Sequence, residues 1–349
     1  MKKLLLLLFL GFTLLGFSQT TAIPDPNFEQ ALIYLGYDTA PINGSVPTAI
    51  ISGVTGLDVG YRNIADLTGI EDFTALTSLN CDFNQLTSLD VSNNFALTAL
   101  FCANNQLTSL DVSNNPALTE LGCFDNQLTS LDVSNNTALN YLGCGYNQLT
   151  SLDVSNNTAL NYLGCSYNQL TSLDVSNNIA LNGLFFYNNQ LTSLDVTNNN
   201  ALIYLYCENN QLTSLDVRNG NNTSFVYFKS TNNPNLTCIY VDDADYSNVN
   251  WTNIDPASTF VNNEAECALS IGDNPFELDV TIYPNPTDNY LFIEGNKNPI
   301  SISIYNLLGA EVISKSNTDK IDVSELSNGV YIINISDGIG QTDRKFIKN

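Results

Sequence analysis

The stretch LTALFCANNQLTSLDVSNNPA, residues 97–117, decides the fold because its pattern recurs along the chain with a period of 21 residues. Its octapeptide NQLTSLDV occurs seven times, beginning at Asn84, Asn105, Asn126, Asn147, Asn168, Asn189 and Asn210. A fixed period of this length is typical of solenoid proteins, in which each repeat forms one coil and packs only against its neighbours. The sequence therefore predicts a stack of coils with a cap at each end.

Each repeat contains two halves with the same apolar skeleton, LxxLxCxxN from Leu97 and LxxLxVxxN from Leu107. Alternate side chains of a short extended segment point to opposite sides. We therefore expect Leu100 and Cys102 to point inward and Phe101 to point outward. The asparagine that follows is expected to turn the chain and to hydrogen-bond the backbone of neighbouring coils.

This skeleton resembles the strand segment of bacterial leucine-rich repeats, which reads LxxLxLxxNxL. Phe186 takes the third apolar place in one unit, so that place needs an apolar filler and not a thiol; the other units have cysteine there, at Cys81, Cys102, Cys123, Cys144, Cys165 and Cys207. The resemblance covers residues 76–222. It implies a leucine-rich-repeat solenoid of parallel β coils with little helix.

The N-terminus has the features of a secretory signal peptide over residues 1–18. Two lysines precede an apolar run over 4–15, and small residues follow at Gly16 and Ser18. The alternative is an uncleaved membrane anchor, but the run is shorter than the roughly 20 residues that a spanning helix needs. No later stretch is apolar enough to span a bilayer, so we expect no transmembrane segment in the mature chain.

Regions that flank the repeats are predicted to cap the solenoid. Residues 19–75 form the expected N-terminal cap, in which Asp25 and Pro26 are suited to start a short helix and Gly36 to end it. Residues 223–267 form an expected irregular C-terminal cap with a last strand over 236–241.

The cysteines fall into two groups. Those of the repeats are expected to lie in one buried column with parallel Cβ directions, which does not favour disulfides. Cys238 and Cys267 lie outside this column in an exported protein, so a disulfide between them is expected.

Charge and composition exclude several classes of function. The chain has 35 acidic and 11 basic residues, a formal charge of −24, and no histidine. Such a surface repels phosphates, so nucleic acid and anionic membranes are not expected partners. Without histidine there is no Ser-His-Asp or Cys-His catalysis and no histidine-ligated zinc.

The C-terminal region differs in composition and follows an expected linker over 268–279. Residues 280–349 hold six of the eleven basic residues and no cysteine, and their alternating strands predict a small β-sandwich of immunoglobulin-like type. The ordered motifs YPNP, YNLLG, DVSEL, GVYII and KFIK resemble the type A sorting domain of the type IX secretion system of Bacteroidota. The key motif residues are Tyr283, Pro284, Asn285, Pro286, Gly309, Gly329, Lys345 and Lys348.

The resemblance to the sorting domain implies how the protein is delivered. In that family, the domain takes its cargo across the outer membrane, and a cell-surface sortase then removes it. The secretion machinery and its sortase are therefore the implied partners, and the cell surface or the extracellular medium is the implied location. The alternative is an ordinary immunoglobulin-like adhesive module.

The second half of every repeat places one aspartate in an outward column, Asp90, Asp111, Asp132, Asp153, Asp174, Asp195 and Asp216. Carboxylates at coil spacing repel one another by roughly 1 kcal/mol per pair in water. One reason for the column would be calcium, which takes oxygen ligands. The interpretation that we favour is that neighbouring Ser and Thr hydroxyls hydrogen-bond the carboxylates, with no metal and no other cofactor.

The two sides of the coil differ in variability. The LTSLDV side is identical in all seven units, whereas the outward places of the other side change from coil to coil and are rich in aromatic residues, which are typical of binding surfaces. The candidate ligand-binding residues are Phe101, Phe124, Tyr141, Tyr146, Tyr162, Tyr167, Phe185, Tyr187, Tyr204 and Tyr206. Alternatively, some rings lie flat in their own column and only stabilise the strands.

Three functions are compatible with these features. The first is a non-enzymatic binding protein that engages a protein or glycan through its variable aromatic side. The second is a passive acidic surface or matrix component without a specific ligand. The third is a polysaccharide-acting enzyme, which would need two carboxylates about 5 to 9.5 Å apart. Glu120 and Glu208 are four coils apart, about 19 Å at strand spacing, and cannot form that pair, so we expect no enzyme.

Overall fold

The computed structural model describes residues 19–267, 280–294, 301–306, 309–336 and 341–349. The expected signal peptide over 1–18 and the expected linker over 268–279 lie outside the described residues. The chain divides into two compact units, one ending at Asn262 and the other beginning at Asn263.

The first unit contains a nine-stranded parallel sheet, here called the front sheet, to which each coil contributes one strand of three residues. Its strands are Gly56–Asp58, Ser78–Asn80, Ala99–Phe101, Glu120–Gly122, Tyr141–Gly143, Tyr162–Gly164, Gly183–Phe185, Tyr204–Tyr206 and Tyr227–Lys229. Neighbouring strands pair in register, as Leu100 pairs with Leu121. Equivalent residues of successive coils therefore form columns. The first and last strands lie outside the seven repeats, so the flanking segments adopt the coil geometry without the repeat motif.

The interior of the coils follows the predicted alternation. Leu100 and Cys102 are fully buried, and Phe101 between them is partly exposed. All six cysteines of the repeats are buried free thiols. Cys238 and Cys267 are both disulfide-bonded.

The opposite side of the coils, here called the back face, carries the LTSLDV segments. These segments form strands in the last repeats and continue into the C-terminal cap, at Ser193–Asp195, Ser214–Asp216, Cys238–Tyr240 and Thr259–Val261, which form one parallel sheet in that order. In the earlier repeats, the same segments bury their leucine and valine side chains without forming strands.

Two columns of buried asparagines join successive coils. In the first column, Asn126 donates through Nδ2 to the carbonyls of Cys102, 3.0 Å away in the preceding coil, and Cys123, at 3.2 Å. Its Oδ1 accepts the amide of Leu107 at 3.0 Å. This arrangement confirms the expected role of the repeat asparagine.

The second column lies on the other side of the interior and is fully buried; its members are Asn94, Asn115, Asn136, Asn157, Asn178 and Asn199. Within it, Asn136 donates to the carbonyls of Val112 and Asn115 of the preceding coil. Each coil is therefore tied to the next by side-chain amides on both sides of the apolar interior.

The N-terminal cap begins its first helix, Pro26–Tyr34, at Asp25, as the sequence predicts. Asp25 Oδ1 accepts the amides of Asn27 and Phe28, while its Oδ2 accepts the amide of Ala65 at 2.7 Å. One carboxylate therefore both caps the helix and attaches it to the first coil. The other elements of this cap are the antiparallel strands Thr20–Ala22 and Ser45–Pro47, the helix Thr48–Ile51 and the 3-10 helix Ile70–Asp72.

The C-terminal cap is more regular than expected. The predicted last strand is present at Cys238–Tyr240, but a 3-10 helix at Asn222–Ser224, a helix at Ala244–Asn250 and a further strand at Thr259–Val261 accompany it. Trp251 stacks on Phe228 with ring centroids 4.4 Å apart. This aromatic contact covers the last coil of the apolar interior.

The second unit is the predicted β-sandwich. One antiparallel sheet contains Thr281–Tyr283, Tyr290–Glu294 and Lys320–Asp322, in that order. The other, also antiparallel, has the order Glu311–Ser316, Ser301–Asn306, Gly329–Ser336 and Gln341–Lys348. Its separate core is built from aliphatic residues of both sheets together with Tyr331 and Phe346.

Candidate functional site

The outward side of the front sheet carries two columns of stacked aromatic rings. The first aromatic ladder consists of Tyr141, Tyr162, Phe185 and Tyr206, with successive centroids 4.7, 5.0 and 5.0 Å apart. These residues come from the first or third position of their strands, and in-register pairing brings their rings together. The ladder therefore runs along the axis of the solenoid.

The second aromatic ladder follows the ends of the same strands and consists of Tyr146, Tyr167 and Tyr187. The rings of Tyr146 and Tyr167 stack with centroids 4.1 Å apart, and the ring of Tyr187 meets that of Tyr167 edge-on at 5.4 Å. Tyr146 is 49% exposed and Tyr167 is 40% exposed. These two residues thus place much of their aromatic surface in solvent.

A groove of about 230 Å³ lies between the two ladders. Its aromatic lining consists of Phe124, Tyr141, Tyr146, Tyr162, Phe185 and Tyr187, and its small residues are Gly143, Gly145, Gly164 and Ser166. The groove is open to solvent and follows the coil axis, which is a suitable shape for a segment of an extended molecule.

Close approaches favour the small residues of the groove. A Cβ at Gly145 would lie 2.9 Å from the carbonyl oxygen of Ser166, so a side chain there would require a shift of the backbone. A Cβ at Gly143 would lie 3.0 Å from the hydroxyl of Tyr141, and one at Gly164 would lie 3.1 Å from the ring of Tyr162. The rings of the first ladder therefore lean over glycines and define the floor of the groove.

Ser166 is the polar exception in this floor. It is 5% exposed, and its Oγ has no hydrogen-bond partner. Buried hydroxyls are normally hydrogen-bonded, because an unpaired one costs about 1–3 kcal/mol. A groove-lining hydroxyl without a partner is therefore suited to a polar group of a ligand.

Six of the ten residues expected from the sequence line the groove, and Tyr167 stacks beside it. Phe101, Tyr204 and Tyr206 lie outside its lining: Phe101 covers Gly122 of the next coil, and Tyr204 lies near Tyr227 with centroids 6.1 Å apart. The mutual stacking of the rings also agrees with the alternative expectation that aromatic columns stabilise the strands. The same side chains therefore both line the groove and stack on one another.

Sequence reasoning missed the floor of the groove. The available signal was that glycine occupies positions 143, 145 and 164, in columns where neighbouring coils carry aromatic residues. A run of small residues between two aromatic columns indicates a depression in the surface.

Acidic residues stand at one end of the groove. Glu120 pairs in register with Tyr141, and the amide of Asp125 donates to the carbonyl of Gly145 at 3.0 Å. The pKa of Tyr141 is raised, first by burial and then by the charge of Glu120. Burial raises the pKa of Tyr162 to about 12. Tyr141 and Tyr162 therefore keep their protons at neutral pH.

The aspartate column of the back face has a local structural role. Asp111 Oδ1 accepts the amide of Ser113 at 2.9 Å, and Asp132, Asp153 and Asp174 make the same turn. The pKa of Asp111 is lowered, chiefly by its hydrogen bond with the side chain of Ser113. Within the described residues, no group of three or more acidic or cysteine side chains is arranged to hold a metal ion. These hydrogen bonds give a reason for the repeated aspartate that involves no ion.

The motifs of the C-terminal unit meet in space. The side chain of Asn285 donates through Nδ2 to the carbonyl of Lys345 at 3.0 Å and accepts the amide of Ile347 at 2.9 Å. The amide of Thr287 donates to the carbonyl of Ile347. The YPNP motif therefore holds the last strand, which carries the KFIK motif.

Comparison with known families and structures agrees with both units. Residues 281–349 match the family described as "Secretion system C-terminal sorting domain". The structure of an internalin, InlF of Listeria monocytogenes, aligns with 72% of this chain and 80% of its own, with a TM-score of 0.51 and 22% identity, and this likeness shows the fold. The chain is a leucine-rich-repeat protein with a type IX sorting domain.

A curated relative of this chain is Internalin J of Listeria monocytogenes, which is 48% identical over 44 residues. That match covers 13% of this chain and 5% of Internalin J. The sorting domain identifies the protein as one exported to the cell surface or the extracellular medium by the type IX machinery. Within the part of the chain that the structure describes, no helix has the length and apolar content needed to cross a bilayer.

Proposed function

We propose that the leucine-rich-repeat region binds a protein or glycan ligand in the groove between the two aromatic ladders, outside the cell. The observation that carries this proposal is a solvent-open groove with aromatic walls and a floor of glycines, located on the variable side of the coil. The back face, by contrast, repeats one hydrogen-bonded turn from coil to coil. Aromatic side chains in a concave site are typical of the central contacts of binding surfaces.

The backbone of the second ladder supports binding over a purely structural role. Tyr146 and Tyr167 have φ angles of +53° and +54°. This left-handed region is unfavourable for a bulky residue, whereas asparagine adopts it readily. Asn104, Asn188 and Asn209 occupy the same column with φ angles of +54° to +57°. A column that needed only stability would favour asparagine throughout.

Two other functions make different predictions. A passive acidic surface component would show no saturable ligand. An enzyme that acts on polysaccharides would turn over its ligand, and the pair Glu120 and Glu208 cannot serve it, because four coils separate them, about 19 Å at strand spacing. A non-enzymatic binding protein is the function that the groove supports best.

The test begins with arrays of glycans and bacterial and host surface proteins, probed with the purified chain. Each saturable hit is then titrated against the double variant Tyr146→Asn/Tyr167→Asn. We expect this variant to bind at least about tenfold more weakly, because it removes two of the three rings of the second ladder, among them Tyr146 of the groove lining. Asparagine is chosen because the same column already holds it.

Two matched controls accompany this measurement. Tyr204→Ala removes a ring of the front sheet outside the groove lining, and Asp153→Asn/Asp174→Asn alters the back face. Both should leave affinity within about twofold. A ligand whose affinity depends on the aspartate pair and ignores the tyrosine pair would place the site on the back face and contradict the proposal.

A further inference from the structure

Negative charges at one end of the groove narrow the class of ligand that it can bind. Each aromatic ladder is preceded, one coil earlier, by a carboxylate in the same column: Glu120 precedes Tyr141, and Asp125 precedes Tyr146. Phe124, which lines the groove, lies between these two carboxylates in sequence. Both walls of the groove therefore begin at a negative charge.

At the opposite end of the first ladder, a cation of the chain itself contacts an aromatic ring. Lys229 pairs in register with Tyr206, and its Nζ lies 4.7 Å from the centroid of the Tyr206 ring. A cation over a tyrosine ring is attracted by the electrons of its face. The chain thus places its own ammonium group at one end of the ladder, while Glu120 occupies the neighbouring coil at the other end.

Cations are scarce around the groove. Between Arg62 and Lys297, the sequence contains only Arg218 and Lys229. Arg218 forms an ion pair with Asp216, whose column lies on the back face. The carboxylates at the entrance of the groove are thus left to attract a cation from outside the chain.

A second observation points to a ligand independently of charge. The Oγ of Ser166 lies buried in the groove lining without a hydrogen-bond partner. A peptide group or polar side chain that entered between the ladders could hydrogen-bond this atom after a rotation of the Ser166 side chain, because Oγ itself lies just below the groove surface. An aliphatic or purely ionic ligand would leave it unsatisfied.

We propose that the ligand of the aromatic groove is a basic segment of a partner protein, in which a lysine or arginine side chain enters between Glu120 and Asp125 and a neighbouring peptide group hydrogen-bonds Ser166. This inference rests on the proposed function and names its ligand class. The acidic entrance, the aromatic walls and the polar atom of the floor each match one part of such a segment.

The test uses a synthetic peptide of five lysine-glycine pairs as the probe, titrated into the purified full chain at about 50 and about 300 mM NaCl. The same peptide with every lysine acetylated keeps the backbone and removes the charge. We expect saturable binding of the charged peptide, weaker at the higher salt concentration, and at least about tenfold weaker binding of the acetylated peptide.

Matched charge variants separate the groove from the general acidity of the chain. Glu120→Gln/Asp125→Asn should weaken binding of the charged peptide about tenfold, whereas Asp153→Asn/Asp174→Asn, which removes the same charge from the back face, should change it less than about twofold. Ser166→Ala should weaken binding about threefold while the aromatic rings stay in place.

Three results would overturn the inference. The first is no binding of the charged peptide, and the second is equal weakening by the two charge pairs, which indicates nonspecific attraction. The third is binding of a neutral probe, such as the acetylated peptide or an N-acetylglucosamine hexamer, as tightly as the charged peptide. If Tyr146→Asn/Tyr167→Asn still abolished that neutral binding, the groove would remain the binding site and only the ligand class would be wrong.

Discussion

At the scale of single residues, Tyr146 and Tyr167 combine an unfavourable backbone with a favourable ring stack. We expect Tyr146→Asn/Tyr167→Asn to change the free energy of unfolding by no more than about 1 kcal/mol. The backbone stays left-handed, but asparagine adopts this conformation at a lower cost than tyrosine, and the gain of at most about 1–2 kcal/mol per residue offsets the lost stacking of about 0.5–1.5 kcal/mol and the lost apolar contacts. Urea denaturation followed by circular dichroism measures the difference.

The same variant distinguishes a binding role from a structural one for these tyrosines. A loss of several kcal/mol in its unfolding free energy would show that the ladder exists to hold the coils together. A variant that is as stable as the wild type and defective in binding would show the opposite.

Cys144 illustrates how burial sets the chemistry of a thiol. The side chain is fully buried, and burial raises its pKa to about 12. Cys144→Val should therefore be nearly neutral at pH 7, within about 1 kcal/mol, because the site accepts an apolar side chain of similar size. Cys144→Asp should cost several kcal/mol, since it places a carboxyl group in the same site.

The raised pKa also predicts a pH dependence for the Cys144→Val comparison. An unfolded thiol begins to ionise near pH 9, whereas the folded one keeps its proton to about pH 12. The stabilising contribution of the thiol is thus complete below pH 9 and is lost as the pH rises towards 12. Relative to Cys144→Val, the wild type should lose about 1.4 kcal/mol per pH unit in this window. Urea titrations of both proteins at pH 8 and pH 10 measure this loss. An equal change in the free energy of unfolding between the two pH values for both proteins would contradict the buried-thiol assignment.

At the scale of elements, the asparagine columns carry the connection between coils. Asn168 donates to the carbonyls of Cys144 and Cys165 and accepts the amide of Leu149. Asn168→Ala leaves the buried amide of Leu149 without a partner, whereas the carbonyls of Cys144 and Cys165 keep the hydrogen bonds that Asn147 and Asn189 donate. We expect the substitution to reduce the free energy of unfolding by about 2 kcal/mol.

The matched control for Asn168 is Asn156→Ala, because Asn156 is exposed and makes one long hydrogen bond of 3.3 Å. It should be neutral within about 0.5 kcal/mol. Thermal melts compare the stability of the two variants. Similar losses of stability would show that a buried asparagine of the column contributes no more than an exposed one.

The elements that the sequence predicts best are those with a repeated pattern. The alternation around Leu100 and Cys102 predicts the buried columns, because one mistake in register would expose a leucine in every coil.

The groove could be predicted only in part. Its walls are visible as variable aromatic residues, but its floor depends on how the rings of Tyr141 and Tyr162 lean, and no sequence pattern encodes that direction. Outside the repeats, strands such as Tyr227–Lys229 form by templating on the preceding coil and carry no motif of their own.

At the scale of the whole molecule, the two units separate the proposed binding role from export. The YPNP motif contacts the last strand through Asn285, so the first and last segments of the sorting unit are joined. We expect deletion of residues 282–349 to leave a folded solenoid that remains in the periplasm. Cell fractionation and protease accessibility on intact cells measure this distribution. Normal surface display of the truncated protein would show that export does not depend on this unit.

The in-register columns also determine how the groove could change over evolutionary time. The repeats that begin at Leu139 and Leu160 differ at only two of their 21 positions, Gly145/Ser166 and Thr158/Ile179. A tandem copy of either one would add a ring to each wall and lengthen the groove by about 4.8 Å without altering its width. Ligand length is therefore selectable in whole-coil steps by unequal recombination, while point substitutions in the floor adjust depth and polarity separately.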